Sequence, residues 1–239
     1  MIKKVDILGI QLDNYTVREA IMCVERYLSN NVLNTIESIS LQMLIDSETN
    51  PVLKEVMSSL DLAIIGEKEI IQAAGLESMQ RIRETEENDF YFEFFKRIER
   101  NKKSVFLLGD TQEKIDSLKA ELTEDYPKLI FAGEYAVETC VGDLEAVIND
   151  MNATTPDVII SVLPSPMQEQ FLYEHRDKMN ANIWYGIGGV PVHKKKHGVL
   201  ARFEKHHTSW ASWSNSMNKY DEKRRGIVVE MQKLINNVP

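Results

Sequence analysis

Residues 159–172 read IISVLPSPMQEQFL, an apolar run that passes through Pro-Ser-Pro into a helical pattern opening with Gln and Glu. Ser165 suits an N-cap, Pro166 the first helical turn and Gln168 the N3 position of a capping box. A helix start pinned at the end of a buried strand offers unpaired backbone N–H groups and the positive end of a helix dipole, which favours a phosphate. Gln168 therefore has two readings, closing the helix end or touching a ligand. The stretch SVFLLGDTQEKIDSLKAEL, residues 104–122, repeats the arrangement: a strand, a tight turn at Gly109 and a helix capped by Asp110 or Thr111. Its N–H donors suit a diphosphate or ribose hydroxyls, and Gly109 would let the backbone approach them. Any βα unit can use such a glycine. What strengthens the ligand reading is a third strand end of the same kind, WYGIGGV, residues 184–190, which supplies Gly188 and Gly189.

The second chemically suggestive stretch is HKKKHGVLARFEKHH, residues 193–207, with five Lys or Arg and four His in fifteen positions. His193 and His197 have i, i+4 spacing, but three lysines intervene and no Cys lies near, so no metal is expected. The run reads either as a solvated basic loop or as an anion site, for a diphosphate or an anionic membrane surface.

The elements that must position these residues follow from periodicity. Short apolar runs alternate with helix-period segments, the pattern of a mainly parallel sheet covered on both faces, and we expect a three-layer Rossmann-like α/β fold. Strands are expected at Val5–Ile10, Asn34–Ile39, Leu62–Ile65, Val105–Leu108, Leu129–Ala132, Val158–Leu163 and Ile183–Tyr185. Helices are expected at Thr16–Leu28 with Asn14 or Thr16 as cap, and at Leu41–Ile45, Pro51–Leu60, Lys68–Ala74, Gln112–Asp125, Asp143–Met151 and Pro166–Met179. Residues 77–89, ESMQRIRETEEND, are so polar that they read as an exposed loop or flap able to cover a site, and Arg81 within it is a substrate-binding candidate. Phe90–Phe95, FYFEFF, is too aromatic for a solvent-facing helix and reads as buried between lobes or subunits, or as a surface for a lipid-like ligand.

A chain of 239 residues with 43% hydrophobic content supports one α/β domain, expected over residues 1–190, followed by a basic and aromatic appendage over 191–239. In that appendage a last helix, Asp221–Ile235, shows an apolar face suited to a partner subunit. The net charge of −9 argues against general nucleic-acid binding. Two cysteines, Cys23 and Cys140, without CxxC spacing fit a reduced, cytoplasmic protein. No stretch approaches the roughly 20 apolar residues of a membrane span, so any membrane contact is expected to be peripheral, at the inner face.

FLLGDTQEKIDSLKAELTEDYPKLIFAGEY, residues 106–135, resembles the middle of the WecG/TagA/CpsF family of bacterial glycosyltransferases. PDVIISVLPSPMQEQFLYEHRDKM is similar to that family's P-D-(apolar)-G-L-G-x-P-x-Q-E segment, with Pro156, Asp157, Pro166, Gln168 and Glu169 matching. GIGG, Gly186–Gly189, matches its G-V-G-G turn, and VDILGIQLDNYTVREAI its opening strand, Asp-Asn turn and helix. The likeness spans about residues 5–190.

The resemblance implies transfer of an N-acetylhexosamine-type sugar from a UDP-sugar to a polyprenyl-diphosphate-linked glycan, with inversion at the anomeric carbon, in synthesis of a cell-wall or surface polymer. No cofactor is implied. At the family's Thr-x-Asn this chain has Ser38 and Ser40, and at its Pro-Asp-Gly, whose Asp is thought to be the base, it has Ile65, Gly66 and Glu67. Glu67 is thus the candidate base, one residue along, with a plain helix-start Glu as the other reading. The Asp after G-V-G-G is replaced near Val192, beside the substrate-binding candidate His193, and the first Gly of G-L-G is Pro164. A catalytically silent relative that binds a nucleotide-sugar or glycan diphosphate is the alternative.

Overall fold

A computed structural model describes residues 3–76, 78–140 and 144–188. The chain starts with β1 (Lys4–Ile7) and β2 (Ile10–Asp13), which pair antiparallel. One strand was expected here. The chain instead reverses at Leu8 and Gly9, whose φ values of 55° and 81° make a two-residue hairpin turn; Leu-Gly lacks the Asn-Gly or Asp-Gly signature of such turns, so the apolar run conceals the reversal.

After α1 (Val17–Tyr27) come β3 (Asn34–Ile39), α2 (Leu41–Asp46), α3 (Pro51–Ser59) and β4 (Leu62–Ile65). Then follow α4 (Lys68–Ala73), α5 (Met79–Glu86), α6 (Asp89–Arg100), β5 (Ser104–Gly109), α7 (Gln112–Asp125) and β6 (Ile130–Ala136). α8 (Glu145–Ala153), β7 (Val158–Ser161), α9 (Met167–His175) and β8 (Ile183–Gly186) complete the described unit. Its eight strands lie in the order β1-β2-β4-β3-β8-β7-β5-β6, and every pairing but the first is parallel. This is the Rossmann-like α/β architecture that the alternating pattern implies.

Adjacent residues of β8 show which helices cover which face. Trp184 stacks on Phe171 of α9, with centroids 5.9 Å apart, whereas Tyr185 meets Phe94 of α6 at 4.6 Å and Phe90 at 5.6 Å. Side chains alternate across a strand, so α9 and α6 lie on opposite faces. α3 packs against α9, and α1 against α6. Phe90, Tyr91, Phe94 and Phe95 of the aromatic run are therefore core of this unit.

Residues 79–86 form a docked helix where an exposed flap was expected. Ser78 caps it by accepting from the Arg81 N–H at 3.1 Å. Buried Glu84 accepts from Arg81 Nη1 at 3.2 Å and from the Val17 N–H at 3.2 Å, so it also closes the start of α1. A polar sequence reads as loop only until such a long-range partner appears. Thr16, rather than Asn14, caps α1 in a full capping box with Glu19. The expected helix Asp221–Ile235, the basic run 193–207, Gly189 and His193 lie outside the described residues.

Candidate functional site

In open α/β sheets ligands bind beyond the carboxyl ends of the strands, where neighbouring strands send their connections to opposite faces. Here that place is between β3 and β4: β3 leads into α2 and α3 on the α9 face, whereas β4 leads through α4 and α5 to α6 on the other. The Gly66 N–H donates to the Ile39 carbonyl at 2.9 Å, extending the two strands together to the lip of this crevice.

Ser40 is the N-cap of α2, accepting from the Met43 N–H at 3.2 Å. Glu67 starts α4 but does not cap it with its side chain; its Oε2 accepts from the Leu41 N–H of α2 at 3.2 Å. The carboxylate thus reaches across the crevice and sits at the start of the neighbouring helix. Two residues before Ser40, within β3, the Ser38 hydroxyl shares a hydrogen bond of 3.2 Å with Tyr185 Oη of β8. Burial pushes the Tyr185 phenol well above its ordinary value, against the Ser38 bond, so it stays neutral. Arg81 reaches the carboxyl end of β2 by donating from Nε to Asn14 Oδ1 at 3.4 Å. Burial lowers its guanidinium from the ordinary value, and Glu84 counteracts that.

Gly109, Asp110 and Thr111 stand at the carboxyl end of β5, two strands from β8. Thr111 caps α7 by accepting from the Lys114 N–H at 3.4 Å, and Asp110 pairs with Lys114 Nζ at 2.6 Å. The Gln112 N–H, which a phosphate would use, donates to Glu138 Oε1 at 2.7 Å. A Cβ on Gly109 would lie 2.8 Å from Ile115 Cγ1, so the missing side chain lets α7 pack closely. The Gln112 and Lys114 N–H groups at the start of α7 are thus engaged from within the chain, while Ser38, Ser40, Glu67 and Arg81 stand at the ends of β2, β3 and β4.

The expected capping box of α9 does not form. Pro166 is the N-cap, the Ser165 hydroxyl faces the Glu169 carboxyl rather than a helix N–H, and the Gln168 N–H donates to the Pro164 carbonyl at 3.1 Å. The Gln168 side chain is drawn instead beneath the end of β8. It is fully buried, and its Oε1 accepts from the Gly188 N–H at 3.3 Å. A Cβ on Gly186 would meet Gln168 Nε2 at 2.3 Å, and one on Gly188 would meet the Leu163 carbonyl oxygen at 1.8 Å. The glycines of this turn therefore make room for Gln168 and for the chain leaving β7.

Glu37, which pattern reading passed over, and Glu169, matched in the family's Q-E segment but given no role, are fully buried beside Gln168. The available signal was a Glu in the middle of NTIESI, a strand buried at every position. Among the described residues no cluster of His, Cys, Asp or Glu could hold a metal ion, and no helix is long and apolar enough to cross a membrane.

Comparison with known proteins adds the chemical context. Residues 5–191 match the model of the glycosyl transferase WecG/TagA/CpsF family. The chain is also 22% identical over 188 residues to N-acetylglucosaminyldiphosphoundecaprenol N-acetyl-beta-D-mannosaminyltransferases of Staphylococcus aureus, among them those of strains NCTC 8325, COL and MRSA252. Each match covers 78% of this chain and 73% of the relative.

Proposed function

The chain belongs to the WecG/TagA/CpsF family of glycosyl transferases, and from that premise we propose that it transfers an N-acetylhexosamine-type sugar from a UDP-sugar to a polyprenyl-diphosphate-linked glycan. The product would enter a cell-wall or surface polymer. The relatives' name supports the acceptor class, since those proteins are named for N-acetylglucosaminyldiphosphoundecaprenol. The observation that carries the reading is the crevice between β3 and β4, where two serines and a carboxylate meet at a switch point of the sheet.

In the proposed step an acceptor hydroxyl oxygen attacks the anomeric carbon, forming the new glycosidic C–O bond. The bond from that carbon to the β-phosphate oxygen of UDP breaks, and UDP leaves with the electron pair. Attack opposite the leaving group inverts the centre. The hydroxyl proton needs a base, and Glu67 is the carboxylate at the lip of the crevice. Ser38, Ser40 and Arg81 supply donors around it. Lys194–Lys196 and His193 provide the charge for the diphosphate or for the anionic membrane surface from which the acceptor is drawn, with the protein attached peripherally.

One observation favours the silent-relative reading. The position of the family's presumed base is Gly66, and the neighbouring Glu67 carboxylate is engaged by the Leu41 N–H. Calorimetric titration with UDP and UDP-N-acetylhexosamines tests the claim common to both readings, and no heat of binding at millimolar ligand would sink it. Turnover with a polyprenyl-diphosphate-linked N-acetylhexosamine then separates enzyme from silent relative.

A further inference from the structure

Glu37 occupies the centre of β3, in register with Ala63 of β4 on one side and Gly186 of β8 on the other. Its side chain emerges on the α9 face with no exposure to solvent. What faces it there is Glu169 and Gln168 from α9 and Trp184 from β8. β4 contributes only Ala63 at this level, and no Lys, Arg or His is among the groups that set the electrostatics of Glu37. The other buried titratable group of α9, His175, lies against Phe171, with Glu174 as its charged neighbour at 3.8 Å.

Both Glu37 oxygens, Glu169 Oε2 and Trp184 Nε1 make no hydrogen bond of full geometry, although Trp184, Gln168 and Glu169 stand close enough to act on the Glu37 carboxyl as hydrogen-bonding groups. Two carboxylates are both acceptors and cannot bond to one another, and two bare negative charges cannot be held in a site closed to water and without a cation. One proton resolves both conflicts, because a carboxylic acid donates to a carboxylate. We propose that Glu37 and Glu169 hold one acid proton between them, and that this pair positions Gln168, and through it the Gly188 turn at the end of β8. Gln168 is the link, donating from Nε2 to Glu169 Oε1 at 3.3 Å while its Oε1 accepts from the Gly188 N–H.

Burial, then the negative neighbour Glu169, push Glu37 well above the ordinary carboxylate value; burial likewise raises Glu169. A folded-state value above the unfolded one contributes stability in full below about pH 4.5, and that contribution is lost as pH rises through the folded value. The pair therefore loosens the turn on the alkaline side. This holds whichever sugar donor binds at the sheet edge, so its test does not depend on turnover.

The experiment compares wild type with E37Q and E169Q, since a carboxamide has the shape of a neutral acid and cannot ionise. Infrared spectra should show the carbonyl band of a buried carboxylic acid in wild type at neutral pH, and E37Q should lack it. Denaturation midpoints of wild type should fall as pH rises above about 4.5, while E37Q matches wild type at the acid end and exceeds it at the alkaline end. The Gly188 amide resonance should shift with pH over the same range in wild type and lose that shift in both variants. A band unchanged in E37Q, parallel stability profiles, or a Gly188 resonance indifferent to pH would each overturn the proposal. So would an E37Q chain that fails to fold, because a neutral acid at that place tolerates its carboxamide.

Discussion

The Glu67 carboxylate accepts a hydrogen bond from the Leu41 N–H at 3.2 Å, so the chain leaving β4 closes the first turn of the helix that follows β3. The two strands whose connections diverge to opposite faces are thereby tied at their carboxyl ends. One carboxylate thus ties the two sides of the crevice together, and it is also the group proposed as base.

Replacing Glu67 with Gln separates these roles. A base acts in the transition state, so E67Q should lower turnover about 100-fold or more and leave the dissociation constant of UDP within about twofold. Loss of a charge at a helix start costs only about 0.3–1 kcal/mol, so denaturation should move little. Turnover at the wild-type rate would leave Glu67 with the structural role alone.

Gly188 and Gly75 make a contrast in backbone chemistry. A methyl group at Gly188 would collide with the Leu163 carbonyl oxygen at 1.8 Å, whereas Gly75, with φ +65°, faces open space. G188A must push apart the chains leaving β7 and β8 and should cost about 3 kcal/mol or more, since overpacking against backbone cannot be relieved by a rotamer change. G75A should cost about 1–2 kcal/mol, the penalty for an L-residue in the left-handed region. Urea denaturation of the two variants gives the comparison; equal losses would contradict the close approach at Gly188.

Asp157 is a scaffold residue at the amino ends of β5 and β7, away from the carboxyl ends that form the crevice. It accepts from Lys103 Nζ and the Ser104 N–H, each at 2.8 Å, and from Ser104 Oγ at 3.0 Å, joining the starts of β5 and β7. Burial pushes its carboxyl up, but the bonds from Lys103 and Ser104 outweigh it and hold the group below its ordinary value of 3.8. A depressed folded value means stability that is present above about pH 4 and lost as pH falls further. D157N should be less stable by about 1.5–3 kcal/mol at neutral pH and should lose less than wild type on acidification. Matching acid limbs in the two denaturation profiles would show that Asp157 contributes nothing to the acid response.

The basic run 193–207 stands against a net charge of −9. Replacing Lys194, Lys195 and Lys196 with Gln should reduce co-sedimentation with anionic vesicles at low salt, each lost cation removing about 1 kcal/mol near the surface. Added salt should weaken wild-type binding as the Debye length falls to about 8 Å, and pH below about 6.5 should strengthen it as the histidines gain charge. Equal sedimentation of wild type and triple variant would leave the run a solvated loop.

Much of the scaffold was legible in order. Asn34–Ile39, Leu62–Ile65 and Gln112–Asp125 fall in the structure where apolar period, caps and turn residues place them, because those signals act within a few residues. The sequence by itself also determined the sheet class, through the alternation of short apolar runs with helical ones, and placed Ser38, Ser40, Glu67, Gly109, Gln168 and Gly188 at strand ends. Only the tertiary structure decided what those ends do. Glu84 turns a polar stretch into a docked helix by meeting Val17, 67 residues away, and Glu138 takes the Gln112 amide that a phosphate was expected to use. Gln168 leaves the capping box because the glycines of β8 open a space for it, and Glu37 gains its significance only when α9 lowers a second carboxyl onto the same face. Local pattern encodes which segments bury a face; which polar groups meet inside is set by contacts between distant segments, where one hydrogen bond satisfied or left open outweighs any local preference.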